Sequence, residues 1–170
     1  AGATAGRLMG RFLGSVRGSI VALTETTQSR DSLERRLGFD SVINREYPGL
    51  RILPTLETYG DPGRTRHVLR NVLAAHEDVV GLYVMGAEAH TPIDVARSLQ
   101  ATEGRVTIAH ERTPSTEAAL RRGDIAAVIH QDPGHLVRSA LRILKAKCEN
   151  RAILASQERI RIEILIAENL

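Results

Sequence analysis

The sequence predicts an α/β domain with a mostly parallel, doubly wound sheet. Short apolar, β-branched segments alternate five times with amphipathic helical segments, and each pair takes about 25 residues. That spacing is typical of parallel strands joined by right-handed helical crossovers. Near the end, isoleucine alternates with charged residues at period two, which indicates a further strand with one solvent-facing side. The 170 residues, of which 42% are hydrophobic, suit a single domain with a real core.

The first strand–helix unit shows this pattern most clearly. An amphipathic helix over residues 3–14 precedes it, and Ser19–Thr24 is the predicted buried strand. A polar loop leads into a second helix, which we expect Asp31 to cap, with Glu34 three residues on in a capping box. The apolar face of that helix is predicted to be buried and comprises Leu33, Leu37, Phe39, Val42 and Ile43.

The later strands follow the same rhythm. They are predicted at Arg51–Glu57, Val80–Met85, Arg105–His110 and Ile125–Ile129, with Ile160, Ile162 and Ile164 marking the last one. Pro54 removes a backbone donor from the second strand, which favours a place at the edge of the sheet. An Asp-Pro or Thr-Pro pair is expected to open three of the intervening helices, at Asp61, Thr113 and Asp132.

Polar residues collect in the loops that follow the strands. They include Arg30 and its neighbours after the first strand, His110 and Glu111 after the fourth, and Gln131 after the fifth. In a parallel sheet these loops share one edge, where ligands of open α/β sheets bind. Carboxylate, amide and guanidinium groups together suit a polyhydroxylated ligand, because each hydroxyl both donates and accepts. Any one of these residues alone is an ordinary turn residue, but the set indicates a ligand site.

Several function classes leave no signature. The sequence has no Gly-x-Gly-x-x-Gly segment, phosphate-binding loop or Gly-x-Ser-x-Gly elbow, so we expect no nucleotide cofactor. Six histidines without His-x-x-x-His spacing and a single cysteine predict no metal site. The net charge of +3 comes from mixed signs, and no apolar run is long enough to span a membrane. A carbohydrate-acting enzyme that uses a carboxylate pair such as Glu25 and Glu111 stays a less favoured alternative.

Four segments resemble the effector-binding domains of LacI/GalR-type transcriptional regulators and the related periplasmic sugar-binding proteins. They are Arg35-x-x-Gly38-Phe39 after the first strand, Ile108–Glu111, Ile129–Pro133 at the start of a long helix, and Ala1–Leu13. In the family, these positions carry an Arg-x-x-Gly-aromatic segment, a Val-Gly-aromatic-Asp segment, an Ile-x-Gln-x-Pro crossover and the helix that opens the second half of the domain. The resemblance covers essentially the whole chain.

The resemblance implies a type I periplasmic-binding-protein-like lobe, with the ligand held between two lobes. Arg35 would donate to sugar hydroxyls with both arms of its planar guanidinium. Glu111 would accept from hydroxyls, and Gln131 would lie at the hinge crossover. Arg30 belongs to the same mouth, and His110 completes the predicted ligand-binding set. No catalytic residue, cofactor or metal is implied.

Three departures from the family bear on the ligand. Gly86-Ala87 stands where the family often has Asn-Asp, and Glu111 is one methylene longer than the usual aspartate. Aromatic residues make up only 3% of the chain, which leaves few rings for sugar stacking. We therefore expect the small-molecule ligand to be a sugar, a sugar acid or a polyol.

The resemblance implies that residues 1–170 form part of an effector-binding domain. The chain would contain the carboxyl-terminal lobe, the crossover helix 132–148 and the final strand, without the first lobe and the DNA-binding headpiece. The expected function is ligand sensing in a cytoplasmic LacI-family regulator that binds operator DNA only through that headpiece and responds by a population shift. The alternative is the solute-binding protein of a sugar ABC transporter, which shares the fold.

One structural consequence of this assignment concerns the crossover helix. By resemblance it packs on the absent lobe, so its apolar face would lack a partner. That face comprises Leu136, Val137, Leu141 and Leu144. Exposed apolar patches favour association, so we expect a homodimer or a repacked helix.

Overall fold

The computed structural model describes residues 1–153 and 161–170. Its helices are α1 (Gly2–Leu13), α2 (Arg30–Glu46), α3 (Pro62–Ala75), α4 (His90–Ser98), α5 (Pro114–Arg122) and α6 (Pro133–Cys148). Its strands are β1 (Gly18–Thr24), β2 (Leu50–Ile52), β3 (Leu56–Glu57), β4 (Val79–Val84), β5 (Val106–His110), β6 (Ala127–Gln131) and β7 (Ile162–Leu165). A short 3-10 helix, Ala167–Asn169, follows β7.

The strands form one sheet in the order β2-β1-β4-β5-β6-β7, and β3 pairs with β1 beyond the end of β2. Strands β1 to β6 pair in parallel, whereas β7 runs antiparallel to β6. The register aligns Leu23 with Val84 and His110 with Ile129. The predicted, mostly parallel sheet is confirmed, and the carboxyl ends of its central strands lie side by side at one edge.

Side chains of the central strands alternate between two buried layers. Ile20 and Ala22 pack in a layer with α1 and α2, whereas Val21 and Leu23 pack in a layer with α3, α4 and α5. Helices therefore cover both faces, and the sheet is doubly wound, as predicted. Because both faces are covered, these strands are apolar on both sides.

Helix α1 packs closely on α2 because glycine recurs every four residues on its facing side. Gly2, Gly6 and Gly10 are all buried in this contact. A Cβ atom on Gly6 would lie 3.0 Å from the Val42 side chain, and one on Gly2 would collide with the backbone carbonyl of Arg35. Small residues let the two helices approach, and the close contact fixes the part of α2 that carries Arg35.

The start and the orientation of α2 differ from the prediction. Ser29 is the N-cap, and its hydroxyl donates to the Ser32 hydroxyl at 2.8 Å, so the expected capping box at Asp31 is wrong. Leu33 and Leu37 are 49% and 68% exposed, so their predicted burial is wrong as well. The buried face instead follows the helical period and comprises Ser32, Arg35, Phe39, Val42 and Ile43. Ser32 and Arg35 thus lie on the buried face of α2, where a count of apolar residues places Leu33 and Leu37.

The predicted second strand is divided into two short strands. Strand β2 pairs with the first half of β1, and β3 pairs with its end at Leu23 and Thr24. Pro54 lies between them, where its missing N–H interrupts the ladder, and the predicted edge position is confirmed. Of the isoleucines that predict the last strand, Ile160 lies outside the described residues and the other two belong to β7.

Helix α6 presents the apolar face that the sequence predicts. Its members are 45% to 61% exposed within the described part of the chain and comprise Leu136, Val137, Leu141 and Leu144. The homodimer expected from this face stays a prediction.

Candidate functional site

The direction of the sheet changes at β1. The chain leaves β1 through α2 to reach β2 on one side, and then crosses through α3 to β4 on the other side. In open α/β sheets such a switch leaves a crevice outside the carboxyl ends of the two strands, and ligands bind there. The loops after β1 and β4 flank this crevice, and those after β5 and β6 lie beside it.

Arg35 reaches the crevice from the second turn of α2. The residue is 8% exposed, and its guanidinium is held on two sides. Nη1 donates to the Met85 carbonyl at 2.5 Å, and Nη2 donates to Glu111 Oε1 at 2.7 Å. The Asp31 carboxylate lies 3.9 Å from Nη1. These contacts orient the guanidinium plane before any ligand arrives, which is how strong polar recognition sites are built.

Glu111 follows β5 with a φ of 65°, an uncommon conformation for a residue other than glycine. Its N–H donates to the Ile129 carbonyl at 3.0 Å, and its carbonyl accepts from the Thr116 hydroxyl at 2.9 Å. These bonds hold the backbone in place and turn the side chain towards Arg35. The Glu111 side chain remains 27% exposed, so it can still accept from a ligand hydroxyl.

His130 lies beside this pair. Its Nδ1 lies 3.7 Å from Glu111 Oε2, and the same nitrogen accepts a hydrogen bond from the Arg112 N–H at 3.2 Å. The shortest ion-pair contact of Glu111 is the one with Arg35, at 2.7 Å.

A cavity of about 280 Å³ opens in front of Arg35. It is lined by Ala1, Gly2, Asp31, Glu34, Arg35 and Gln131. Partial burial disfavours the charged form of Asp31, but the hydrogen bond with Ser29 and the charge of Arg35 outweigh it, so the pKa of Asp31 lies below its ordinary value. The structure thus brings Arg35, Glu111 and Gln131 of the predicted set to one mouth, with the Asp31 carboxylate on its wall.

The other two predicted ligand residues do not line the cavity themselves. The Arg30 side chain is 92% exposed and pairs through a 2.7 Å contact with Glu34, which does line it. His110 is 1% exposed, and its Nε2 shares a 2.8 Å hydrogen bond with the Tyr83 hydroxyl. The alternation of β5 directs His110 to the same buried layer as Ile108. This corrects the prediction for His110, whose place is in the core and not in the mouth.

The buried His110 makes the stability of the fold depend on pH. Burial and the charge of Arg35 hold its pKa well below the ordinary value, whereas the unfolded chain titrates normally. Below a pH of ~6.5 the unfolded state therefore binds a proton that the folded state does not, and stability falls as the pH falls. From pH ~7.5 to ~5.5 we expect this group to remove about 1.4 kcal/mol from the free energy of unfolding.

Urea unfolding at the two pH values, on the unaltered protein and on His110→Gln, measures this effect. Glutamine keeps a hydrogen-bonding partner for Tyr83 but does not titrate, so the loss in the variant is expected to be smaller by that amount. An equal loss in both proteins would show that His110 is not its source.

Glu57 in β3 holds the loop that follows β1. One oxygen of this carboxylate accepts from the Thr27 N–H at 2.6 Å and from the Thr27 hydroxyl at 2.7 Å, and the other accepts from the Tyr59 hydroxyl at 3.0 Å. The Thr27 backbone and side-chain bonds hold the pKa of Glu57 below its ordinary value. Glu57 thus fixes the loop after β1 and has little capacity left for a ligand.

The site supplies fixed donors and acceptors for hydrogen bonding. The guanidinium of Arg35 donates, the carboxylates of Asp31 and Glu111 accept, and the amide of Gln131 can do both. Within residues 1–153 and 161–170, no group of histidine, cysteine, aspartate or glutamate is arranged to hold a metal ion. In the same residues, no helix is long and apolar enough to cross a membrane.

A doubly wound sheet with a polar crevice at its carboxyl edge is the architecture of a periplasmic-binding-protein-like lobe. Residues 1–152 match the family described as periplasmic binding protein domain, and the chain belongs to that family. Among curated proteins, none matches the sequence.

Solved structures of sugar-binding proteins share the fold. GanP, a glucose-galactose binding protein from Geobacillus stearothermophilus, matches with a TM-score of 0.85 at 19% identity, over 99% of this chain and 60% of its own. AraP, an arabinose binding protein from the same organism, matches with a TM-score of 0.80 at 20% identity, over 99% of this chain and 60% of AraP. An ABC transporter solute-binding protein from Burkholderia graminis, in complex with D-arabinose, matches with a TM-score of 0.82 at 22% identity, over 99% of this chain and 59% of that protein. The chain therefore spans about 60% of the length of these proteins.

Sequence reasoning missed two residues of the cavity lining. Asp31 and Glu34 are interpreted above only as parts of a helix cap, yet both line the cavity with Arg35. The signal was present, because residues three and four apart share one face of a helix. Because Asp31 lies four residues before Arg35 on the same helix, it faces the same cavity as Arg35.

Proposed function

We propose that this chain forms one lobe of a sugar-binding protein and that its carboxyl edge contacts the sugar. The observation that carries the proposal is the nearly buried guanidinium of Arg35, held between Met85 and Glu111 at the cavity. A planar donor with an adjacent carboxylate matches the paired hydroxyls of a sugar. A neutral sugar or polyol can use all of these groups through hydrogen bonds alone.

Two kinds of protein use such a lobe, and we favour the solute-binding protein of a sugar ABC transporter. The solved structures with the same fold include transporter binding proteins, two of them in complex with D-arabinose. The LacI-type regulator expected from the sequence is the second candidate, supported by the Arg35 and Gln131 motifs, which both kinds of protein share. Operator DNA, the cytoplasmic location and the homodimer belong to that second candidate as proposals.

Isothermal titration calorimetry with aldopentoses, aldohexoses and a polyol tests the proposal. We expect saturable binding of at least one of them, with a favourable enthalpy because hydrogen bonds dominate the site. In Glu111→Gln we expect the affinity for that ligand to fall by about tenfold or more, since a charged acceptor is lost and Arg35 is released.

Glu77→Gln is the matched control for this experiment. Glu77 is exposed and precedes β4 at the opposite edge of the sheet, so the same chemical change there is expected to leave the affinity unaltered. The proposal is contradicted if no ligand of the panel binds, or if both variants behave alike. Turnover of a carbohydrate that disappears in Glu111→Gln would instead support the enzyme alternative.

A further inference from the structure

The carboxylate of Glu25 lies directly over Gly86, across the crevice between β1 and β4. A Cβ atom built on Gly86 would fall on the carboxylate of Glu25. Gly86 is buried, and Glu25 is half-buried. The carboxylate therefore fills the volume that any side chain at position 86 would need, and the two are mutually exclusive.

Backbone groups hold Glu25 in this position. Its Oε1 accepts from the Glu88 N–H at 3.0 Å, and its own carbonyl accepts from the Tyr59 N–H at 2.9 Å. In the described part of the chain, no arginine or lysine forms an ion pair with Glu25, in contrast to Glu111 and Asp31. A positioned carboxylate oxygen is thus left to accept from a molecule in the crevice.

Glu25 and Arg35 belong to the same wall. The carbonyl that holds Arg35 belongs to Met85, and the next residue is the glycine beneath Glu25. Both groups stand where β1 and β4 end, at the switch point of the sheet. Glu25 is not among the residues that line the cavity in front of Arg35, so a ligand contacts both groups when it extends from that cavity across the end of β4.

We propose that Glu25 is a specificity-determining residue that contacts the ligand. Its carboxylate accepts from a hydroxyl or an amino group and repels a second carboxylate or a phosphate, because like charges in a partly desolvated site oppose one another. The site accordingly takes neutral or amino sugars and rejects sugar acids. This inference rests on the proposed function and narrows the ligand class that the sequence left open.

Competition between D-galactose and D-galacturonate, measured by calorimetry on the full chain, tests the inference. These two sugars differ only in the charged carboxylate. We expect the unaltered protein to favour the neutral sugar, and Glu25→Gln to lower that preference by about tenfold, the order of one like charge removed at a partly exposed site. Gly86→Ala displaces the carboxylate of Glu25 and is expected to act in the same direction.

Two comparisons keep the outcome specific. Glu103→Gln removes an exposed carboxylate at the other edge of the sheet and is expected to preserve the preference. Glu25→Asp keeps the charge, so it is expected to retain the preference for the neutral sugar. The inference fails, and the proposed function stands, if Glu25→Gln leaves the ratio of the affinities for the two sugars unchanged. The same holds if the unaltered protein favours galacturonate. If no sugar binds at all, both fail together.

Discussion

Replacement of Arg35 by methionine is expected to abolish ligand binding and to lower the free energy of unfolding by about 3 kcal/mol. The side chain is 10% exposed, and its two hydrogen bonds go to a buried carbonyl and a partly buried carboxylate. Methionine preserves much of the packing volume but donates to neither. The carbonyl of Met85 and the charge of Glu111 are then left without their partner, and unpaired buried polar groups are costly.

Chemical denaturation together with sugar calorimetry measures both effects. Arg45→Met is the matched control, because Arg45 lies on the same helix with its side chain 66% exposed and bonds the adjacent Glu46. Its loss of stability is expected to stay below about 0.5 kcal/mol. Arg35→Lys keeps the charge but not the planar fork, so binding is expected to weaken strongly there as well. Full sugar affinity in Arg35→Met would remove this residue from the site.

Replacement of Gly6 by leucine is expected to lower the free energy of unfolding by about 2–3 kcal/mol. A Cβ atom at this position would already lie 3.0 Å from the Val42 side chain and 3.2 Å from the Phe39 carbonyl, so a full leucine has no room between α1 and α2. Leucine favours helix by nearly 1 kcal/mol over glycine, and the steric conflict has to exceed that gain. The helices must separate, which also shifts the part of α2 that bears Arg35.

Thermal and urea unfolding of Gly6→Leu and Arg11→Leu distinguish this effect from a general effect of leucine. Arg11 is exposed on the same helix, so leucine there is expected to change stability by less than about 0.5 kcal/mol. Gly6→Ala is expected to fall between the two. A Gly6→Leu protein as stable as the unaltered one would show that the two helices do not pack as closely as described.

The sheet could be predicted because its signals are local. Each buried strand is a short apolar run, and each helix has a polar start, so the alternation alone indicates parallel strands. That Glu111 and Gln131 lie at one edge followed from one further fact, namely that parallel strands share their carboxyl edge. The place of Arg35 beside them came from the family resemblance. No long-range contact had to be known for either prediction.

The misses depend on orientation and register. Leu33 and Leu37 are apolar, but the side of α2 that faces the sheet also carries Ser32 and Arg35, so counting apolar residues selects the wrong face. His110 ends a strand that is covered on both faces, and polarity alone places it in the mouth although its ring points into the core. The position of the Glu25 carboxylate over Gly86 could be predicted only from the register of β1 against β4, and no local sequence pattern contains that register.

The central claim is that the crevice around Arg35 is the ligand site, and nuclear magnetic resonance tests it most directly. In a ¹⁵N–¹H correlation experiment, D-arabinose is added to the labelled protein, and the amides and the Arg35 Nε–H are followed. The expected result is a saturable set of shifts confined to Arg35 and the loops after β1, β4, β5 and β6. Saturable shifts at the opposite edge of the sheet, with Arg35 unchanged, would contradict the claim.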